Sequence, residues 1–149
     1  MSLSLESPAF TSNAVIPSQF TCEGADHSPP LAWQDSASNT LSYVLIVNDP
    51  DAPGGSWDHW VLFNIPPNIK QLAEAAQVPI GATSIKNSWG GSGYRGPCPP
   101  SGTHRYLFTL YALDTKLSLK DTASTNDILQ AMKGHVIAQS ELVGRYQKK

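Results

Sequence analysis

This sequence predicts a mainly β fold: an antiparallel β-sandwich carrying two or so short helices at its periphery. Three observations carry that reading. Twelve prolines and eleven glycines in 149 residues gather into clusters such as Pro29-Pro30, Pro50 to Gly55, Pro66-Pro67 and Gly96 to Gly102. Between the clusters lie short runs rich in β-branched and aromatic residues, the pattern of strands joined by elaborate turns. Helix signals are few, and no shift in composition divides the chain, so one domain over residues 1–149 is expected.

The elements follow in order. Leu3 to Glu6, Gln19 to Cys22 and Leu31 to Trp33 are short candidate strands. Leu41 to Asp49 (LSYVLIVND) is almost wholly apolar, as a strand buried on both faces should be. His59 to Ile65 is a third good strand beside the long aromatic run His104 to Asp114. Ile69 to Ala76, rich in helix formers after Pro67, reads as a helix. Asn87 to Trp89 reads as a short strand. Asn126 to Lys133 reads as a helix, with Ser124 or Thr125 to cap it and Gly134 to stop it. Val136 to Val143 alternates imperfectly and fits either strand or helix.

Charge and cysteine content narrow the function classes. A formal net charge of −2 argues against nucleic acid or an anionic membrane as main partner, since both reward a clustered basic surface. The longest apolar run, Tyr43 to Val47, is too short to cross a bilayer, so no transmembrane segment is expected. MSLSLESPAF lacks the basic and apolar regions of a secretory signal, which makes the cytoplasm the expected location. Cys22 and Cys98 show no CxxC spacing. Free thiols are the default in a reducing cytosol, with a bridge between them left open. No cofactor motif is present.

Two stretches carry the chemistry. DPDAPGGSWDH, residues 49–59, joins two strong strands through a connection too short for a parallel crossover, so the strands run antiparallel and close together. Alternation puts Asp49 on the face of Leu45 and Val47, His59 on that of Val61 and Phe63, and Trp60 opposite His59. Asp49 and His59 then sit at one end of the sandwich, each topping an apolar face. In YRGPCPPSGTHRY, residues 94–106, a Pro/Gly loop delivers His104 and Tyr106 to one face of a strand, with Phe108 and Leu110 continuing it inward. Glycines in that loop permit close approach to backbone N–H groups, which suits an anion.

These motifs, with TCEGADHSPPLAW near the N-terminus, resemble the phosphatidylethanolamine-binding protein family, also called the Raf kinase inhibitor protein family, in its prokaryotic branch. The resemblance runs from about Leu5 to Tyr146. It implies a sandwich with a small anion pocket at one end. On the matching positions, Asp49, His59, His104 and Tyr106 line the pocket, Gly96 and Pro97 give backbone contacts, and Asp51, Pro53 and Trp57 belong to its wall. It also implies a cis peptide at Ala52–Pro53, a homodimer, a phosphate- or carboxylate-bearing ligand, and regulation of a kinase or protease. With only three residues after Tyr146 in this sequence, the long C-terminal helix of eukaryotic members is not expected.

A hydrolase is the alternative reading, with Asp49, Asp51, His59 and His104 as metal ligands or as a His–Asp base, and Ser101 or Cys98 as candidate nucleophile. No HExxH and no GxSxG supports it. Binding without catalysis and without bound metal is therefore preferred. In that arrangement Asp49 accepts from an imidazole N–H or from a protonated ligand group such as an amine or hydroxyl, a histidine presents its other N–H to the anion, and Tyr106 donates its O–H.

Overall fold

The computed structural model describes residues 3–149. Two antiparallel sheets face one another. The smaller has strand order β1-β2-β5, from β1 (Leu3–Glu6), β2 (Leu31–Asp35) and β5 (Gln71–Leu72). The larger has order β6-β4-β3-β7-β8, from β3 (Ser42–Asp49), β4 (Trp57–Ile65), β6 (Thr83–Ser84), β7 (Thr103–Leu113) and β8 (Val136–Gln147). The sequence thus resolves as mainly β, and its undecided last segment is a twelve-residue strand.

The larger sheet is buried on both faces, which explains why β3 reads as an unbroken apolar run. One face carries Tyr43, Leu45, Val47, Phe108 and Leu110 and packs on Leu3, Leu5, Leu31 and Trp33 of the smaller sheet. The other carries Val44, Ile46, Val61 and Phe63, and Ile128 and Met132 of α1 (Thr125–Met132) cover it. Each large apolar side chain so enclosed contributes about 1.5–3 kcal/mol before ordering costs are set against it. Helix α1 starts where the sequence allows: Ser124 Oγ accepts from Asp127 N–H, and the Asp127 carboxylate accepts from Ser124 N–H, both at 3.0 Å. Gly134, at φ 80°, lets the chain turn out of it.

Three predicted elements take other forms. Ile69 to Ala76 is not a helix: Gln71 and Leu72 pair with Ala32 and Leu31 as β5, which buries Leu72. Pairing along β2 outweighs the modest helix propensity of the segment. Gln19 to Cys22 is not a strand. Ser18–Phe20 form a 3-10 turn, closed by Phe20 N–H to the Pro17 carbonyl at 3.1 Å, and Thr21 Oγ donates to the Ser18 carbonyl at 2.8 Å. Asn87 to Trp89 is a turn in which the Asn87 side chain accepts from Trp89 N–H at 3.0 Å. α1 is accordingly the one α-helix among the described residues.

One irregularity in β4 decides the geometry of the site. Val47 pairs with Trp60, but the next residue, Asn48, pairs with Asp58. His59 is the extra residue of a β-bulge. Strict alternation assigns His59 to the helix-covered face with Val61 and Phe63. The bulge instead brings it to the sandwich side, where Trp60 also packs. The expectation that Trp60 lies opposite His59 is corrected by this one residue.

Candidate functional site

The ends of β3, β4 and β7 converge at one end of the sandwich. Asp49 is the last residue of β3, and β7 pairs antiparallel with β3, so its first inward residues, His104 and Tyr106, arrive at the same end. With bulged His59 they form the polar floor of a cavity of about 280 Å³. Ala52, Pro53, Trp57, Trp89, Pro99 and Pro100 give it largely apolar walls. That volume holds a headgroup-sized molecule.

The floor is nearly dry. Asp49, His59, His104 and Tyr106 are 4%, 3%, 7% and 1% exposed, so every polar atom there needs a partner or carries a desolvation cost. His104 Nδ1 donates to the Asp49 carboxylate at 2.6 Å, and the other Asp49 oxygen accepts from Asp51 N–H at 2.8 Å. His59 Nδ1 lies 2.5 Å from the Arg95 carbonyl. A carbonyl only accepts, so Nδ1 carries the proton. Both imidazoles are therefore anchored through Nδ1, which leaves each Nε2 as the ring nitrogen available to a ligand. The Tyr106 hydroxyl is buried beside the Asp49 carboxylate and makes no hydrogen bond of good geometry.

Electrostatics sharpen this picture. Burial holds His59 below its ordinary pKa, against the raising influence of the Arg95 carbonyl and nearby Asp49. Burial, with the adjacent Asp49 charge, pushes the Tyr106 phenol far above its ordinary range, so it stays a donor. No lysine or arginine lines the cavity among the described residues. Any positive charge on the floor must be a proton on an imidazole. Aromatic edges steady the rings: His59 meets Tyr106 at 5.2 Å and Trp89 at 4.8 Å, both T-shaped, and Trp57 meets Trp89 at 5.5 Å.

The remaining predicted residues stand in other places. Pro53 and Trp57 are in the wall. Asp51 lies outside the cavity lining, and its carboxylate forms a two-pronged pair with Arg105 at 2.9 Å for each contact. The guanidinium holds the Asp51 carboxyl down at about 2. Gly96 and Pro97 are buried behind the cavity rather than lining it. Gly96 N–H donates to Asp26 at 2.9 Å, and a Cβ at 96 would collide with the Phe20 carbonyl and Asp26. Asp58 accepts from the Thr125 hydroxyl at 2.7 Å, on the helix side. The Ala52–Pro53 bond is trans, as are all described peptide bonds. Gly54 and Gly55, at φ 81° and 115°, reverse the chain instead, with Gly55 N–H closing onto the Ala52 carbonyl.

Sequence reasoning missed two contributors. Trp89 enters the wall from a Gly-rich turn, and Arg95 presents its carbonyl to His59 while its guanidinium covers the Trp89 ring at 4.8 Å. A tryptophan ahead of a glycine pair was the available signal for the first; a backbone carbonyl leaves none. Cys98, at the cavity edge, is bonded to Cys22, so the bridge left open by the sequence is formed and free thiols are not present. That removes Cys98 as a nucleophile in this state. Ser101 is exposed and outside the lining. Among the described residues no three His, Cys, Asp or Glu side chains cluster as a metal-ligand set.

A β-sandwich whose one end closes over a His–Asp pair, a second anchored histidine and a buried tyrosine defines a class of small-pocket protein. The chain matches the phosphatidylethanolamine-binding protein family model over residues 6–147, and it belongs to that family. It is 48% identical to a UPF0098 protein of Methanothermobacter thermautotrophicus over 98% of this chain and 99% of that one. Its structure is similar to that of the phosphatidylethanolamine-binding protein homologue CT736 of Chlamydia trachomatis, at TM-score 0.94 and 42% identity, covering 99% of each chain. It is also similar to that of YbcL of Escherichia coli, described as a member of the mammalian family, at TM-score 0.91 and 29% identity over all of both chains. No described helix is long and apolar enough to cross a membrane.

Proposed function

We propose that this protein binds a small phosphate- or carboxylate-bearing group in the cavity floored by Asp49, His59, His104 and Tyr106. The convergence on one cavity of two imidazoles anchored through Nδ1 and a buried Tyr106 hydroxyl that makes no well-formed hydrogen bond is the observation that carries the reading. The hydroxyl's polar neighbour, the Asp49 carboxylate, is already engaged by His104 and by Asp51 N–H, so a well-placed acceptor stabilises this donor. Two imidazoles anchored on their far nitrogens stand beside it, and an anion oxygen satisfies all three groups when the rings are protonated. The hydrolase alternative keeps the His104–Asp49 pair, but the cavity lining holds no serine or threonine to serve as nucleophile.

The charge arrangement gives the proposal its signature. His59 is neutral near pH 7 because burial lowers its pKa. Sulfate, which brings no proton near neutrality, binds only as an imidazole takes one up. Inorganic phosphate can supply its own. Calorimetric titration between pH 5.5 and 8 should show sulfate affinity falling by up to about tenfold per pH unit above the imidazole pKa, with a shallower fall for phosphate. A sulfate affinity that stays level across that range removes the histidines from the binding step.

A homodimer and action on a kinase or protease belong to the proposal as separate parts. Light scattering at micromolar concentration reads the first. For the second, emptying the pocket by substitution distinguishes regulation through the ligand site from contact by a surface loop. A cytoplasmic location is part of the same reading. There the disulfide would be kept reduced, which bears directly on the pocket.

A further inference from the structure

The geometry points to the Cys22–Cys98 disulfide as a reducible latch on the pocket, so that reduction weakens anion binding by freeing one lip; this rests on the pocket being an anion site. The two half-cystines are set in unlike surroundings. Cys22 follows the 3-10 turn Ser18–Phe20, and its neighbours Phe20 and Thr21 are fully buried. Thr21 Oγ donates to the Ser18 carbonyl at 2.8 Å and accepts from Glu23 N–H at 3.2 Å. Glu23 in turn accepts from the Tyr146 hydroxyl on β8 at 2.5 Å. This end is an anchor.

Cys98 belongs to the other kind of segment. It lines the cavity, and Pro99 and Pro100 beside it supply apolar wall. Up to Pro97 the loop is hydrogen-bonded to the anchor: the Tyr94 hydroxyl to the Phe20 carbonyl at 2.7 Å, Gly96 N–H to Asp26 at 2.9 Å, and Cys22 N–H to the Pro97 carbonyl at 3.1 Å. From Cys98 to Gly102 no backbone hydrogen bond is made among the described residues, until β7 begins at Thr103. The sulfur–sulfur bond is the one covalent tie between this stretch and the anchor. Both cysteines are exposed residues, so a reductant can reach the bond.

The chemistry is thiol–disulfide exchange with a dithiol as co-reactant. One thiolate of the dithiol attacks a sulfur of the bridge, forms a mixed disulfide and expels the other cysteine as thiolate. The second thiol of the dithiol then displaces the remaining cysteine. Two electrons and two protons pass to Cys22 and Cys98, and the dithiol leaves as its own disulfide. His59 keeps its Arg95 carbonyl, because that contact lies before the freed stretch. The wall at Pro99 and Pro100 becomes mobile. A ligand must then order those residues as it binds, which lowers affinity without removing any polar partner.

The test uses the full chain and sulfate at one fixed pH, chosen from the titration above as one at which the oxidised protein binds sulfate measurably. Affinity is measured for the oxidised protein, for protein reduced with excess dithiol and exchanged under anaerobic buffer, and for the C22S/C98S variant. The latch predicts that the reduced protein and the variant bind about tenfold more weakly than the oxidised form. Reoxidation should restore the reduced wild type and leave the variant weak. Backbone ¹⁵N relaxation should show new fast motion at residues 98, 101 and 102, with β3, β4 and β7 unchanged. Equal affinity in all three forms overturns the latch and leaves the anion site standing. No sulfate binding in any form overturns the site and the latch together. Global unfolding on reduction overturns the latch in favour of a plain structural staple.

Discussion

The two lips of the pocket are built on different principles. The first, residues 49–59, spans two paired neighbours of one sheet. Its ends are fixed by the β3–β4 ladder, and its interior by short-range bonds: Asp51 N–H to Asp49, Gly55 N–H to the Ala52 carbonyl, and Asn48 to Ser56. The second, residues 94–102, belongs to no sheet. It hangs on residues 18–27, some seventy positions earlier, through Asp26, the Phe20 carbonyl and the disulfide. The first lip places the charged pair partner, Asp49; the second places His59, by presenting the Arg95 carbonyl to its Nδ1. The cavity floor thus depends on one locally specified element and one specified only by tertiary contact.

Substitutions should separate the two. The largest effect is expected at Gly96→Ala, where the new Cβ has to displace the Phe20 carbonyl or Asp26. Overpacking of this kind costs about 1–3 kcal/mol, to be read from urea unfolding. Because the lip shifts with Arg95, sulfate affinity should also fall more than tenfold. A variant that loses stability but binds normally would show that the second lip does not position His59.

Tyr106→Phe is expected to split binding from stability. It deletes a buried hydroxyl that makes no well-formed hydrogen bond in the free protein, so unfolding free energy should change by no more than about 1 kcal/mol, while sulfate binding weakens about tenfold for loss of a charge-assisted bond. Equal binding by the variant would mean that the hydroxyl faces no ligand. The smallest effect is expected at Arg105→Ala on the first lip. Its pair with Asp51 is exposed and screened, and the strand ladder holds both ends of the lip without it. Affinity should change by no more than about threefold, and its salt dependence should be slight.

How far the sequence reveals this molecule follows the same division. Asp49, His104 and Tyr106 are legible because strand alternation and a short antiparallel connection place them. His59 reaches the pocket by a route that alternation does not show: a single-residue bulge turns it from the face of Val61 and Phe63 to that of Tyr106. β5 is hidden behind helix-forming residues because its strand state depends on pairing with β2. The second lip is the least legible part. The need for glycine at 96, the Arg95 carbonyl and the Cys22–Cys98 bridge all depend on a distant segment folding into a 3-10 turn rather than the strand its residues suggest.

Protonation of His59 links the fold to the proposed function. Above its ordinary value of about 6.5, neither the native nor the unfolded chain protonates this ring. As pH falls below that value the unfolded chain takes up the proton first, because burial lowers the native pKa. Stability is therefore lost with falling pH until the native ring is also protonated. An anion bound at Nε2 favours the protonated ring and must reverse part of that loss. The most direct measurement is an NMR titration of the His59 imidazole with and without saturating sulfate. The account predicts a native pKa below 6.5 in the free protein and an upward shift of at least about one unit when sulfate is bound. An unchanged His59 titration, with sulfate demonstrably bound, would contradict the central claim that this cavity takes its anion on a protonated histidine.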